Sequence, residues 1–140
     1  MKVSLLPALV AAATLAGCVT APVGPSIPVD ASFARVEGGW RPGPGRYEIA
    51  YRPMAMADGR LAICGVYATN GVFYRRGMEK IVRGAAVYAD GVRVGGGLGG
   101  FSRAATPAAI DGAEARCVPV DASSEARDVR VAFGDGSFRD

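Results

Sequence analysis

A mainly β fold, an antiparallel two-layer β-sandwich with one short helix, is what this chain predicts. Three observations carry that expectation. Short segments alternate apolar and polar residues with period two; Asp-Gly pairs at 58–59 and 90–91 sit between such segments; and only 74–83 spaces its apolar residues as a helix does.

Residues 18–39 open the part after the first apolar run. They read "CVTAPVGPSIPVDASFARVEGG", rich in Pro and Gly and without a sustained apolar period, which predicts a flexible tether. Largely extended at about 3.1 Å per residue, it would reach roughly 60 Å. The β-rich domain is then expected over 40–140, with Trp40 as an aromatic at the edge of its core.

The stretch "RYEIAYRPMAMADGRLAICGVYA" reads as a hairpin about Asp58-Gly59. A two-residue type I′ turn there puts Ile49, Tyr51, Ala62, Cys64 and Val66 on one apolar face. It also sets Pro53 opposite Cys64 in a hydrogen-bonded pair, where the missing N–H is unwelcome, so a bulge or a longer turn is the competing arrangement. Tyr74, Met78, Ile81 and Val82 have helical spacing, and Gly84 can close that helix. The rival for this region is a hairpin at Asn70-Gly71 with 72–74 returning as a strand.

In "AAVYADGVRV" a second hairpin turns at Asp90-Gly91. Val87, Ala89, Val92 and Val94 share one face, and Tyr88 meets Arg93 on the other. Further on, Ala113, Ala115 and Cys117 alternate against Glu114, Arg116 and Val118, and Val129, Val131 and Phe133 against Asp128, Arg130 and Ala132. Both cysteines are thereby expected to point inward. The set of strands suits a sandwich, with an immunoglobulin-like architecture among the arrangements open to it. Residues 134–140 read as a frayed tail.

The amino end has a different character. Lys2 precedes an apolar run from Val3 to Ala16, too short for the roughly 20 residues of a spanning helix, and this is the anatomy of a signal peptide over 1–17. The run ends in Leu15, Ala16, Gly17 and Cys18, which resembles the lipobox of bacterial lipoproteins. That resemblance implies cleavage before Cys18, lipidation of its thiol, and a membrane partner engaged through acyl chains. Several buried chains make a lasting anchor, where one chain binds only reversibly. Val19, in place of the Asp that favours inner-membrane retention, implies the periplasmic face of the outer membrane. The resemblance ends at about Thr20; the alternative is an ordinary secretory leader with Cys18 incidental.

Removing 17 of 140 residues leaves 123, enough for one domain with a core. Its charge falls from +3 to +2 with the loss of Lys2, too mild a balance for a dedicated nucleic-acid binder. Histidine is absent, which excludes His-based triads and His-rich zinc sites. Cys64 and Cys117 remain after the anchor, and an exported setting predicts a disulfide between them; two free thiols are the alternative.

"GGGLGG" at 95–100 matches a phosphate-binding glycine pattern in form, but Pro107 interrupts the helix that such a site needs. A bulged strand or loop is expected, with no cofactor and no metal. Arg75, Arg76, Lys80 and Arg83 form a candidate face for anionic lipid headgroups or an acidic envelope protein; with Glu79 among them, a merely solvated face is the alternative. Asp58, Asp90, Asp111 and Asp135 all precede Gly and read as turn formers, and neither Ser102 nor Ser137 lies in a nucleophile-elbow setting. No catalytic residue is assigned. The expectation is a lipid-anchored, non-enzymatic envelope protein with a binding, assembly or structural role. The alternatives are a carboxylate-dependent cell-wall or glycan-processing enzyme and a small-ligand-binding β-domain.

Overall fold

The computed structural model describes residues 23–39, 45–70 and 75–134. Eight strands are present among them, in two sheets. The larger contains β1 (Ala34–Gly39), β2 (Arg46–Ala55), β3 (Arg60–Asn70), β6 (Ser102–Arg103) and β7 (Arg116–Ser123). The smaller has the order β5 (Val92–Gly96), β4 (Ala86–Ala89), β8 (Val129–Ala132). Every pairing is antiparallel except the short β3–β6 contact.

The β2–β3 hairpin has the longer turn. Met56 N–H donates to the Arg60 carbonyl (2.8 Å) and Gly59 N–H to that of Met56 (2.9 Å), leaving three loop residues with Gly59 at φ 86°. The Asp58 carboxylate accepts the Arg60 N–H at 3.0 Å and steadies the turn. Pro53 therefore faces Ile63, not Cys64. Counting alternate pairs from the Met56–Arg60 bond puts Pro53 in a non-hydrogen-bonded pair, where its lack of an N–H costs nothing.

This one-residue shift corrects the expected faces, because a strand slipped by one residue turns every side chain over. Ile49, Tyr51, Leu61 and Ile63 enter the main core, while Ala62, Cys64, Val66 and Ala68 lie on the opposite face of the sheet.

The main core lies between the sheets. Ile49, Tyr51, Leu61, Ile63 and Val120 come from the larger one and Val87, Ala89, Val129 and Val131 from the smaller. Tyr51 and Phe133 meet edge to face with ring centroids 5.2 Å apart. At Gly95 the layers come so close that a Cβ would stand 2.8 Å from Val120. The outer face of the larger sheet has its own small core: Ala50, Val66 and Ala68 lie beneath Ala104 and Ile110. Ile110 is supplied by a 3₁₀ helix (Pro107–Gly112) that starts at the proline expected to interrupt a longer helix.

The Asp90-Gly91 hairpin has the expected two-residue turn, with φ 50° and 84°, and pairs Tyr88 with Arg93. The register then shifts, so that Val87 pairs with Gly95 and Val94 is the extra residue of a bulge. Val92, expected on one face with Val87, Ala89 and Val94, is 63% exposed.

Helix α1 (Arg75–Arg83) forms where the apolar spacing put it. It buries Met78, Ile81 and Val82 and ends as the Gly84 N–H donates to the Lys80 carbonyl at 3.0 Å. The competing hairpin at Asn70-Gly71 falls on 71–74, outside the described residues, as do Trp40, Tyr74 and the expected tail beyond Gly134.

From Val23 onward the expected tether is built into the domain. Gly24 N–H donates to Val131 O (3.0 Å) and Ile27 N–H to Val129 O (2.9 Å), so this segment runs antiparallel along β8. Asp30 then crosses to the other sheet: its N–H donates to Pro53 O, and its carboxylate accepts the Ala55 N–H at 3.1 Å. Residues 34–39 follow as β1. The segment lacks an apolar period because backbone groups, more than side chains, hold its first part in place.

Cys64 and Cys117 form the expected disulfide, but within one sheet, as direct cross-strand partners of β3 and β7. Immunoglobulin domains instead bridge their two sheets with it. Val118 and Val120 face the core, which turns Cys117 outward to an exposed position while Cys64 stays buried at 1% exposure. The bond closes a 53-residue separation. The chain-entropy relation gives such a loop about 4 kcal/mol of stabilisation. Urea unfolding with and without a thiol reductant should show a lower midpoint for the reduced protein; coincident curves would contradict this account.

Candidate functional site

The strands and helix run between two ends of the domain, and the sequence distributes its charges unequally between them. At one end β8 finishes against α1: Gly134 N–H donates to the Ile81 carbonyl at 3.0 Å, and a Cβ on Gly84 would strike the Lys80 carbonyl oxygen at 2.6 Å. The paired ends Gly39, Arg46 and Asn70 lie at this same end. With Met78, Ile81 and Val82 turned to the core, the 3.6-residue period puts the positions of Arg76, Lys80 and Arg83 on the opposite face of α1. Arg83 is exposed and its stem lies over Gly99, and Lys80 is half-buried. Arg75 and Arg76 occupy the first turn of the helix, their side chains outside the described residues. Lys80 and Arg83, in the last turn, favourably face the partial negative charge of the helix carboxyl end.

The other end gathers turn-forming aspartates. Asp30, Asp58, Asp90 and Asp128 are found there with Arg60 and Arg127 among them. The Asp90 carboxylate accepts N–H bonds from Arg127 (3.0 Å) and Asp128 (2.9 Å), while its own N–H donates to Asp128 O (2.8 Å). It therefore fixes the start of β8 while turning the β4–β5 hairpin. Asp128 is held below the usual carboxylate range, first by a hydrogen bond from Ser26 and then by one from Arg130. Burial pushes the phenols of Tyr47 and Tyr51 above their ordinary values.

On the outer face of the larger sheet, Arg35 reaches both Glu48 and Asp111. It joins β1, β2 and the 3₁₀ helix, and its proton is held more firmly than usual, chiefly by the bond to Glu48. Arg52 lies over the Phe33 ring, 4.7 Å from its centroid, donates to the Ala31 carbonyl (3.3 Å), and faces Cys64 across the ladder. Its buried Nε has no hydrogen-bond partner. Neither arginine is visible as a site in the sequence, since neither belongs to a motif; their partners are brought near only by strand pairing.

The described residues considered for chemistry each have a structural partner. Asp58 and Asp90 hold backbone N–H groups, Asp111 pairs with Arg35, and the Ser102 hydroxyl donates to the Glu114 carbonyl at 2.6 Å. Asp135, Ser137 and Cys18 lie outside the described residues. The glycine pattern is the end of β5 followed by a turn with Gly97 at φ 75°; Leu98 N–H donates to the Val82 carbonyl at 2.7 Å, and the Leu98 side chain is fully buried. Among the described residues no group of acidic or cysteine side chains is arranged to hold a metal ion, and no helix is long and apolar enough to cross a membrane. Compared with protein-family models, curated proteins and solved structures, the chain matches none.

Two outcomes follow from the aspartates. Asp90→Ala should cost about 0.5–1.5 kcal/mol in urea unfolding by removing the acceptor of two exposed N–H bonds, whereas Asp90→Asn, which keeps an acceptor and tolerates positive φ, should cost less. A carboxylate with a lowered pKa adds stability that is present above its unfolded value and is lost as pH falls through its folded value. Hydrogen-exchange protection at Gly24 and Ile27 should therefore drop on acidification below the ordinary carboxylate range, and Asp128→Asn should flatten that dependence.

Proposed function

We propose that this protein is a lipid-anchored component of a bacterial cell envelope with a non-enzymatic binding, assembly or structural role. The observation that carries the proposal is Leu15-Ala16-Gly17-Cys18 at the end of a leader-length apolar run. On this reading residues 1–17 are removed, Cys18 is lipidated, and the domain is held at the periplasmic face of the outer membrane. Two features support it. A disulfide between Cys64 and Cys117 suits an oxidising compartment. The described polar groups considered for catalysis are occupied in holding turns and strands, which favours a binding or structural role over carboxylate-based hydrolysis.

Two separate contact surfaces are offered on this reading: the cationic positions of α1, and the Tyr88–Arg93 pair beside the Asp90-Gly91 turn on the outer face of the smaller sheet. Arg130 pairs with Tyr88 from the other side, so the tyrosine is flanked by two guanidinium-bearing residues.

Cys18→Ala tests the anchor. The wild-type protein should fractionate with membranes and carry acyl chains at residue 18 by mass, and the variant should move to the soluble fraction. A variant that stays wholly in the membrane pellet would refute the proposal.

A further inference from the structure

We infer that the α1 end of the domain is its membrane-facing end, set against anionic lipid headgroups by a leash of only a few residues. This rests on the proposed anchor at Cys18 and adds to it a distance and an orientation. The distance follows from where the described chain begins. Cys18 and Val23 are five residues apart, and at no more than about 3.6 Å each they span at most roughly 18 Å. From Gly24 onward the backbone is bonded to β8, so the 60 Å reach of a free tether does not exist.

The orientation follows from the direction of that pairing. Gly24 bonds Val131 and Ile27 bonds Val129, so the chain traced back toward Cys18 advances along β8 toward Gly134. Gly134 is seated on the last turn of α1, with its N–H on the Ile81 carbonyl. The leash thus leaves the domain beside the helix that carries Arg75, Arg76, Lys80 and Arg83. The aspartate-rich turns at 58–59 and 90–91 lie at the far end of the same strands, where an anionic surface would repel them. Arg46, which pairs with Asn70 at the end of β2 remote from the Asp58-Gly59 turn, adds to the cationic end.

The test uses the lipidated mature protein in vesicles containing phosphatidylglycerol and a lipid with a quencher on its headgroup. A fluorophore is attached in turn at Glu79→Cys, on α1, and at Val92→Cys, at the exposed far turn. Both variants are first checked for an unchanged unfolding midpoint. The label at 79 should be quenched severalfold more strongly than that at 92. An inserted Gly/Ser stretch of about 20 residues after Thr20 should erase the difference. Lys80→Glu with Arg83→Glu, or vesicles of phosphatidylcholine alone, should reduce it. Equal quenching at both sites in protein that carries acyl chains and floats with the vesicles overturns the orientation and leaves the anchor standing. Protein that bears no acyl chain and does not float overturns the anchor, and the orientation with it.

Discussion

Strand β3 is the member on which the rest of the architecture depends. β2 holds one edge of it; β7 and then β6 hold the other. Its inward residues Leu61 and Ile63 belong to the core shared by the sheets, and its outward Val66 and Ala68 belong to the smaller core under the 3₁₀ helix. Such a strand tolerates no slippage, because moving it by one residue exchanges the two sets of side chains. The three-residue turn closed by Met56 and Arg60 is what sets its register. The disulfide then ties β3 to β7 at a point where Cys64 already faces Cys117, restricting the unfolded chain without bringing distant layers together.

Hydrogen bonding explains why so many acidic side chains are bound up in structure. Short loops leave N–H groups without ladder partners, and a carboxylate beside them is a strong acceptor. Asp30, Asp58 and Asp90 each fill that need, two of them at positive φ, where Asp is better tolerated than most residues. The consequence is an end rich in negative turn residues opposite an end where the helix carries positive ones. That separation arises from turn chemistry at one end and helix patterning at the other.

Local chemistry made part of this legible in the sequence. The Asp90-Gly91 turn, the Tyr88–Arg93 pair and the spacing of Met78, Ile81 and Val82 depend on residues within one hairpin or one helix, and they read through directly. The β2–β3 hairpin was half legible: Asp58-Gly59 marks the turn, and Pro53 signals that a two-residue loop is wrong, but the pattern alone does not choose the alternative. Cys117 was misplaced because alternation gives two faces without saying which one is covered; Val118 and Val120 settle that through contacts with the other sheet. Gly24 and Ile27 leave no periodic signature, since the bonds that hold them to β8 are made by backbone N–H groups and Ile27 adds only a partly buried side chain to the core. The cationic positions of α1 were legible as a set, whereas their neighbourhood with the start of the described chain depends on the strap along β8.

That strap joins the earliest part of the described chain to its last strand. Ile27 and Val29 pack against the core, yet the carbonyls of Val129 and Val131 that bind the strap belong to β8, about a hundred residues further along the chain. A polypeptide growing from its amino end must hold these residues unpaired until β8 has emerged, and closure of so distant a contact is slow compared with the formation of local hairpins. The described domain is consequently buttoned where its first segment meets its last strand, and a chain interrupted before β8 lacks the place where residues 24–27 belong.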